Sequence, residues 1–435
     1  MPIELPAPRV RAVLGREDSA WALDARAAWD SLTASGDAEW VALYELQDFL
    51  WYRLPAKFLV PYEHKLAVAR ALARLLDALG YTGHADLCMG AATREVLDAW
   101  ERNSTAGFAA LRRAMELSGV DPPNLEDFKW GDAMGLEEAA LHLHGAIVLE
   151  EAIGSGRLTP GAPGWKKAQA RVLKEFLDAD LDRLDGRTPR EAIQEERIKR
   201  WSERGGSARG GLLNKVRDRI REQPAGPPGA TAALRPLIRL LELADGGIEL
   251  TQKGYISPAI VAQLAGDFGW WDHPRPPRTE TEVNQLHIVR AVASGAGLIR
   301  RARNRLVPTA LGRRVRPDAD QLWSQVTSYF ADGSDFIATL RELLLARLLI
   351  GPAAFGTVEQ ELLSSVQDTG WRLVDGDAIS VDAVRWSMWD AIRPLTILGM
   401  IAVGAWPNRD MTLTDVGEPT AKEVLWRRAT APQSL

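Results

Sequence analysis

Apolar residues recur at three- and four-residue spacing over 19–35, 39–53, 63–79, 92–101 and 104–118, and Gly, Pro or Asn punctuates the runs. That is the helical period, so each run predicts an amphipathic helix. The clearest spans 62–79: Leu66, Ala69, Ala73, Leu76 and Leu79 fall along one side, Pro61 stands at the start and Gly80 at the end. A long helical pair follows over 135–155 and 163–181, joined by a Gly/Pro loop. Thr188-Pro189-Arg190-Glu191 then carries helix-start chemistry, with a capping hydroxyl, a first-turn proline and a reciprocal carboxylate. Residues 1–222 therefore read as an all-helical domain.

The pattern changes beyond a Pro- and Gly-rich linker at 223–230. A Leu-rich helix over 231–245 precedes a short strand at 248–251. Ser257-Pro258 opens a second helix through Ala265, and Thr281 is placed to cap a third over 282–294. Two short apolar-led runs then meet at Arg303-Asn304, which predicts a β-hairpin because Asn tolerates left-handed backbone. Helix, strand, helix, helix, hairpin is the order of a winged helix-turn-helix, and it defines a domain over 231–317. One feature departs from that pattern. The proline-rich stretch 266–278 replaces a turn of three or four residues, which weakens presentation of the third helix.

A similar order returns over 318–435. Helices are expected at 336–350, at 357–367 with Thr357 as cap, and at 380–398, with a hairpin from 399–405 and 411–414 turning at Pro407-Asn408. The expected fold is mainly α: an N-terminal helical domain, then two tandem winged-helix-like domains with small antiparallel sheets. Thr251, Thr309 and Thr414 each end a strand and are followed three residues later by Gly254, Gly312 and Gly417, a repetition that strand-end chemistry explains without a ligand.

Charge adds a direction to this architecture. The chain carries a formal net charge of −5, yet 284–317 holds eight Arg and no Asp or Glu, while 318–435 is acidic. Such asymmetry bears on partners rather than on fold. With one cysteine, Cys88, internal disulfides and cysteine-based metal sites are excluded, and a reducing, cytoplasmic setting is expected. No apolar run reaches spanning length, so no membrane partner is expected.

Enzymatic constellations do not emerge. Gly205–Gly211 lacks both the preceding strand and the Gly-Lys-Ser/Thr ending of a phosphate loop, and His142 and His144 stand two apart, on different helix faces, where metal ligands four apart would be needed. Acidic pairs such as Glu137-Glu138 read as solvated surface charge. Trp270-Trp271-Asp272-His273 is the one cluster that could line a pocket, and its simpler reading is loop packing. No catalytic residue, metal or cofactor is expected.

Three stretches carry a family resemblance: Gly247 to Val261, Trp270-Trp271, and Gly297 to Gly312. Through them residues 231–425 resemble the carboxy-terminal part of a group of actinobacterial proteins, some assigned to the root-inducing-plasmid open-reading-frame-three family. The resemblance implies a fold pattern and a bacterial origin, and carries over no site.

The expected function is non-enzymatic nucleic-acid binding, with DNA or another polyanion as partner and regulation as the setting. The residues expected to carry it are Asn284, Gln285, Arg290, Arg300, Arg301, Arg303, Arg305, Arg313 and Arg314. The alternative is a protein-interaction adaptor, in which the same modules dock a protein and touch no nucleic acid; self-association is open in both.

Overall fold

The computed structural model describes residues 3–4, 7–15, 19–33, 40–221, 226–405 and 409–433. It is mainly helical, with two small antiparallel three-stranded sheets. Two compact units divide the chain: Met1–Glu196 with Pro432–Leu435, and Arg197–Ala431.

In the first unit the sequence-read helices appear at Ala20–Leu32, Tyr62–Ala78, Ala91–Arg102, Ser104–Ser118, Leu136–Gly154 and Trp165–Leu177. Several features were not foreseen, among them short helices at Ala7–Leu14 and Leu54–Lys57. Thr82–Met89 forms a further helix, a two-residue ladder joins Ile3–Glu4 to Trp40–Val41, and the expected 39–53 helix is Leu43–Asp48 continued by a π-helical turn, Phe49–Arg53. The Tyr62–Ala78 helix is also rotated from the expected stripe. Its buried side is Lys65, Val68, Ala69, Ala71, Leu72, Leu75 and Leu76. Lys65 can sit there because its Nζ donates to the Pro55 carbonyl at 3.1 Å and meets Glu101 at 3.1 Å. The capping at Thr188 is as read: Glu191 N donates to Thr188 Oγ1, and Thr188 N donates back to the Glu191 carboxylate.

The second unit contains two modules of one topology. In the first, helix Arg235–Asp245 leads to strand Ile248–Glu249, helices Pro258–Asp267 and Asn284–Gly295, and the hairpin Ile299–Ala302 with Arg305–Pro308. In the second, Phe336–Ile350 leads to Ala353–Ala354, Phe355–Gln367, Val381–Ile397, and the hairpin Ile401–Val403 with Asp410–Leu413. In both sheets the last strand lies in the middle, paired antiparallel to the other two. One continuous core serves both modules, and it also takes in Ile198, Trp201, Leu212, Leu213, Val216 and Ile220 from 197–221.

Several boundaries differ from expectation for local reasons. Glu280–Glu282 is a 3-10 turn and the next helix starts at Asn284, so Thr281 does not cap it. Strand Ala353–Ala354 runs straight into its helix, so Ala354 rather than Thr357 occupies the cap position. The Pro407-Asn408 turn lies outside the described residues. The turn of the first hairpin is left-handed at Arg303, with φ 53°, and not at Asn304. Asn304 instead ties the turn to the neighbouring strand end. Its Nδ2 donates to the Leu250 carbonyl at 2.7 Å, and its own carbonyl accepts from Leu250 N at 2.9 Å.

Both hairpins are fixed at the root by the same device. Thr309 Oγ1 donates to the Gly297 carbonyl at 2.7 Å and accepts from Gly312 N at 3.0 Å; Thr414 Oγ1 donates to the Gly399 carbonyl at 2.7 Å and accepts from Gly417 N at 3.0 Å. The glycines are needed by close approach. A Cβ at Gly312 would lie 2.1 Å from the Leu298 carbonyl oxygen, and one at Gly417 would lie 1.8 Å from that of Met400. Thr251-to-Gly254 is different in kind, an ordinary turn closed by Gly254 N donating to Thr251 O at 2.8 Å.

Candidate nucleic-acid interface

The first hairpin rises from that lock, with Arg300 opposite Val307, Arg301 opposite Leu306 and Ala302 opposite Arg305. Successive strand residues point to opposite faces, yet Arg300 and Arg301 are both exposed. Leu306, directly opposite Arg301, stays buried in the core, so the Arg301 side chain extends past that face to reach solvent while Arg300 leaves from the other. Arg301 Nε reaches over the turn to the Arg303 carbonyl at 2.9 Å, which ties the tip together.

The eight arginines of 284–317 fall into two groups. Arg290 is held: one guanidinium nitrogen meets Glu280 at 2.6 Å and another donates to the Gly254 carbonyl at 3.0 Å. Glu280 is fully buried and also accepts from Ile256 N at 3.0 Å. Arg290 is thus the counter-charge a buried carboxylate requires. Arg313 and Arg316 share Asp245 at 3.4 and 3.0 Å, and the Arg316 guanidinium holds that carboxyl below the ordinary range. Arg305 stands 3.6 Å from Glu249, with both side chains largely exposed, so this pair contributes little. Arg300, Arg301, Arg303 and Arg314 are exposed and make no ion pair among the described residues.

On the Asn284–Gly295 helix, Asn284 is exposed and Gln285 half-buried. The structure brings Arg300, Arg301, Arg303 and Arg305 together on one hairpin and directs Arg290 inward. One residue escaped the sequence reading. Lys253 is exposed in the turn beside the hairpin, where Gly254 lies close to the Arg301 guanidinium. A lone lysine in a turn gives no periodic signal, and only the three-stranded pairing makes it a neighbour.

The aromatic loop is used for packing. Trp270 stacks on Phe268 with ring centres 4.8 Å apart, Trp271 Nε1 donates to the Arg275 carbonyl at 2.6 Å, and both indoles pack against the core. His142 lies edge-on to Tyr44 and Trp130, and His144 stacks on Phe176. Among the described residues no three His, Cys, Asp or Glu side chains gather as metal ligands, and no helix is long and apolar enough to cross a membrane. No protein-family model, curated protein or solved structure matches the chain.

Proposed function

We propose that this protein binds nucleic acid without catalysing a reaction, through a winged helix whose wing is the 299–308 hairpin, in a regulatory role and with DNA as the expected polyanion. The observation that carries the reading is the set of exposed arginines without a carboxylate partner on and beside that hairpin, Arg300, Arg301, Arg303 and Arg314. The order and pairing of helices and strands agree with a winged-helix pattern. Because Arg290 is committed to Glu280 and the third helix follows a long loop, contact through the wing would be mainly to phosphates, which positions a protein without specifying sequence.

The test is fluorescence anisotropy of a labelled DNA duplex titrated with the full chain at several salt concentrations. Binding should weaken steeply with salt and disappear in the R300E/R301E/R303E variant, whose melting temperature should fall only slightly, because these side chains make no ion pair and only Arg301 gives up a hydrogen bond, to the Arg303 carbonyl. A wild-type chain that ignores the duplex at low salt overturns the reading. A protein-docking role is favoured by one observation: Trp386, on the third helix of the acidic second module, is 70% exposed. Large exposed aromatics of this kind are enriched at protein interfaces.

A further inference from the structure

An open groove of about 270 Å³ lies between helix Asn284–Gly295 and the Thr251–Gly254 turn beside the first hairpin. His287, Arg290, Ala291 and Ser294 line one side, and Gly254 and Tyr255 the other. The helical positions are three and four apart, so they form a single face of that helix. Both walls are held in place. Tyr255 N donates to Thr251 Oγ1 at 3.1 Å, and Thr251 N donates to the Tyr255 carbonyl at 2.8 Å, which fixes the backbone that carries the ring. Arg290 ties the walls together through its bonds to Glu280 and to the Gly254 carbonyl. Because the buried Glu280 carboxylate neutralises that guanidinium, the groove itself carries little net charge.

Free cations stand at its edge instead. A Cβ on Gly254 would lie 3.3 Å from Arg301 Nη1, and the exposed Lys253 comes immediately before it, without an ion pair among the described residues. A nearly neutral cleft with an aromatic wall and cations at the rim suits a flat ring system that carries an anion. The volume falls just below the range of about 300–1,000 Å³ that takes whole drug-sized ligands, so one ring system is the scale of the occupant. Resting on the nucleic-acid reading above, we infer that the groove receives one unpaired base, stacked on Tyr255 with its phosphates on Arg301 and Lys253. The preferred ligand is then single-stranded nucleic acid. In a duplex the bases stack on one another, and none enters such a groove without being extruded.

The experiment compares the full chain's affinity for a labelled oligothymidylate and for a blunt-ended duplex of the same length, by fluorescence anisotropy. Electrostatics alone favours the duplex, whose phosphates are more densely spaced. Wild type should nevertheless bind the strand about tenfold more tightly, the contribution of one stacked base. Tyr255→Leu should abolish that preference and leave duplex binding unchanged, whereas Tyr255→Trp should keep it. Ala291→Leu narrows the groove from an exposed helical position where leucine is well tolerated, and should abolish the preference too. If wild type binds the duplex as tightly as the strand, or if the folded Tyr255→Leu and Ala291→Leu variants keep the preference, this inference is overturned while nucleic-acid binding stands. Binding to neither ligand at low salt overturns the nucleic-acid reading itself, and this inference with it.

Discussion

His142 lies 8% exposed between Tyr44 and Trp130, and burial pushes its pKa down to about 4. In the unfolded chain it titrates near its ordinary value of 6.5. Between those values the unfolded state binds a proton that the folded state refuses, so this residue removes stability as pH falls from 6.5 toward 4. Asp121, 3.9 Å away and raised to about 6 by burial, acts in the opposite sense, since its folded form takes up a proton first. Replacing the imidazole with His142→Gln therefore leaves the favourable half. The difference in melting temperature between variant and parent should shift toward the variant as pH drops through that window, and a pH-independent difference would refute it. A second residue-scale consequence concerns Gly312 and Gly417, where any Cβ strikes a carbonyl oxygen of the preceding hairpin root. Each Gly→Ala change should cost at least about 2 kcal/mol, read as a loss in denaturant midpoint. Of these details the sequence showed the recurring Thr and Gly but not the clash, which exists only once Leu298 and Met400 have come back across the sheet.

At the scale of elements, what was legible followed the strength of the local signal. Thr188-Pro189 through Glu191 specifies its own helix start, and the structure forms it bond for bond. Thr281 and Thr357 carry the same capping side chain yet do not cap, because a 3-10 turn and a strand respectively take the preceding residues. Strand Ala353–Ala354 had no signature to read. Two alanines become a strand only because Asp410 and Met411 lie alongside. The basic hairpin was predicted from Asn304 as the left-handed residue, and the hairpin is there with Arg303 in that role. Asn304 could not be spared, since it links the turn to Leu250 from both its side chain and its backbone. A left-handed non-glycine residue carries a strain of about 1–2 kcal/mol. Arg303→Gly should therefore raise stability by about 1 kcal/mol in chemical denaturation while removing one cation from the tip, so stability and affinity would move in opposite directions.

For the whole molecule, the decisive quantity is how charge is distributed rather than its sum. A chain of net charge −5 is repelled by a polyanion at long range, and attraction must come from a short segment acting within a Debye length of about 8 Å at physiological salt. Eight arginines suggested a strong field; ion pairs to Glu280, Glu249 and Asp245 engage four of them. If the remaining four each displace one counterion, the slope of log affinity against log salt concentration should be about −3 to −4, whereas eight would give about −7. The anisotropy titration reads this number directly. That partition was invisible in the sequence, because Asp245 and Arg316 are far apart along the chain and meet only after folding. The periodic helices were legible because each carries its own pattern. The joint core of the two modules was not, because it is assembled from faces that each looked complete alone.

The paired threonine locks have one more implication. Thr309 with Gly297 and Gly312, and Thr414 with Gly399 and Gly417, build the same socket, so each hairpin leaves its module from an equivalent root. The arginine-rich strands Ile299–Ala302 and Arg305–Pro308 and the nearly uncharged strands Ile401–Val403 and Asp410–Leu413 are then alternative fittings on a common mount, so a protein engineer can transplant the arginines from one to the other without renegotiating the foundation.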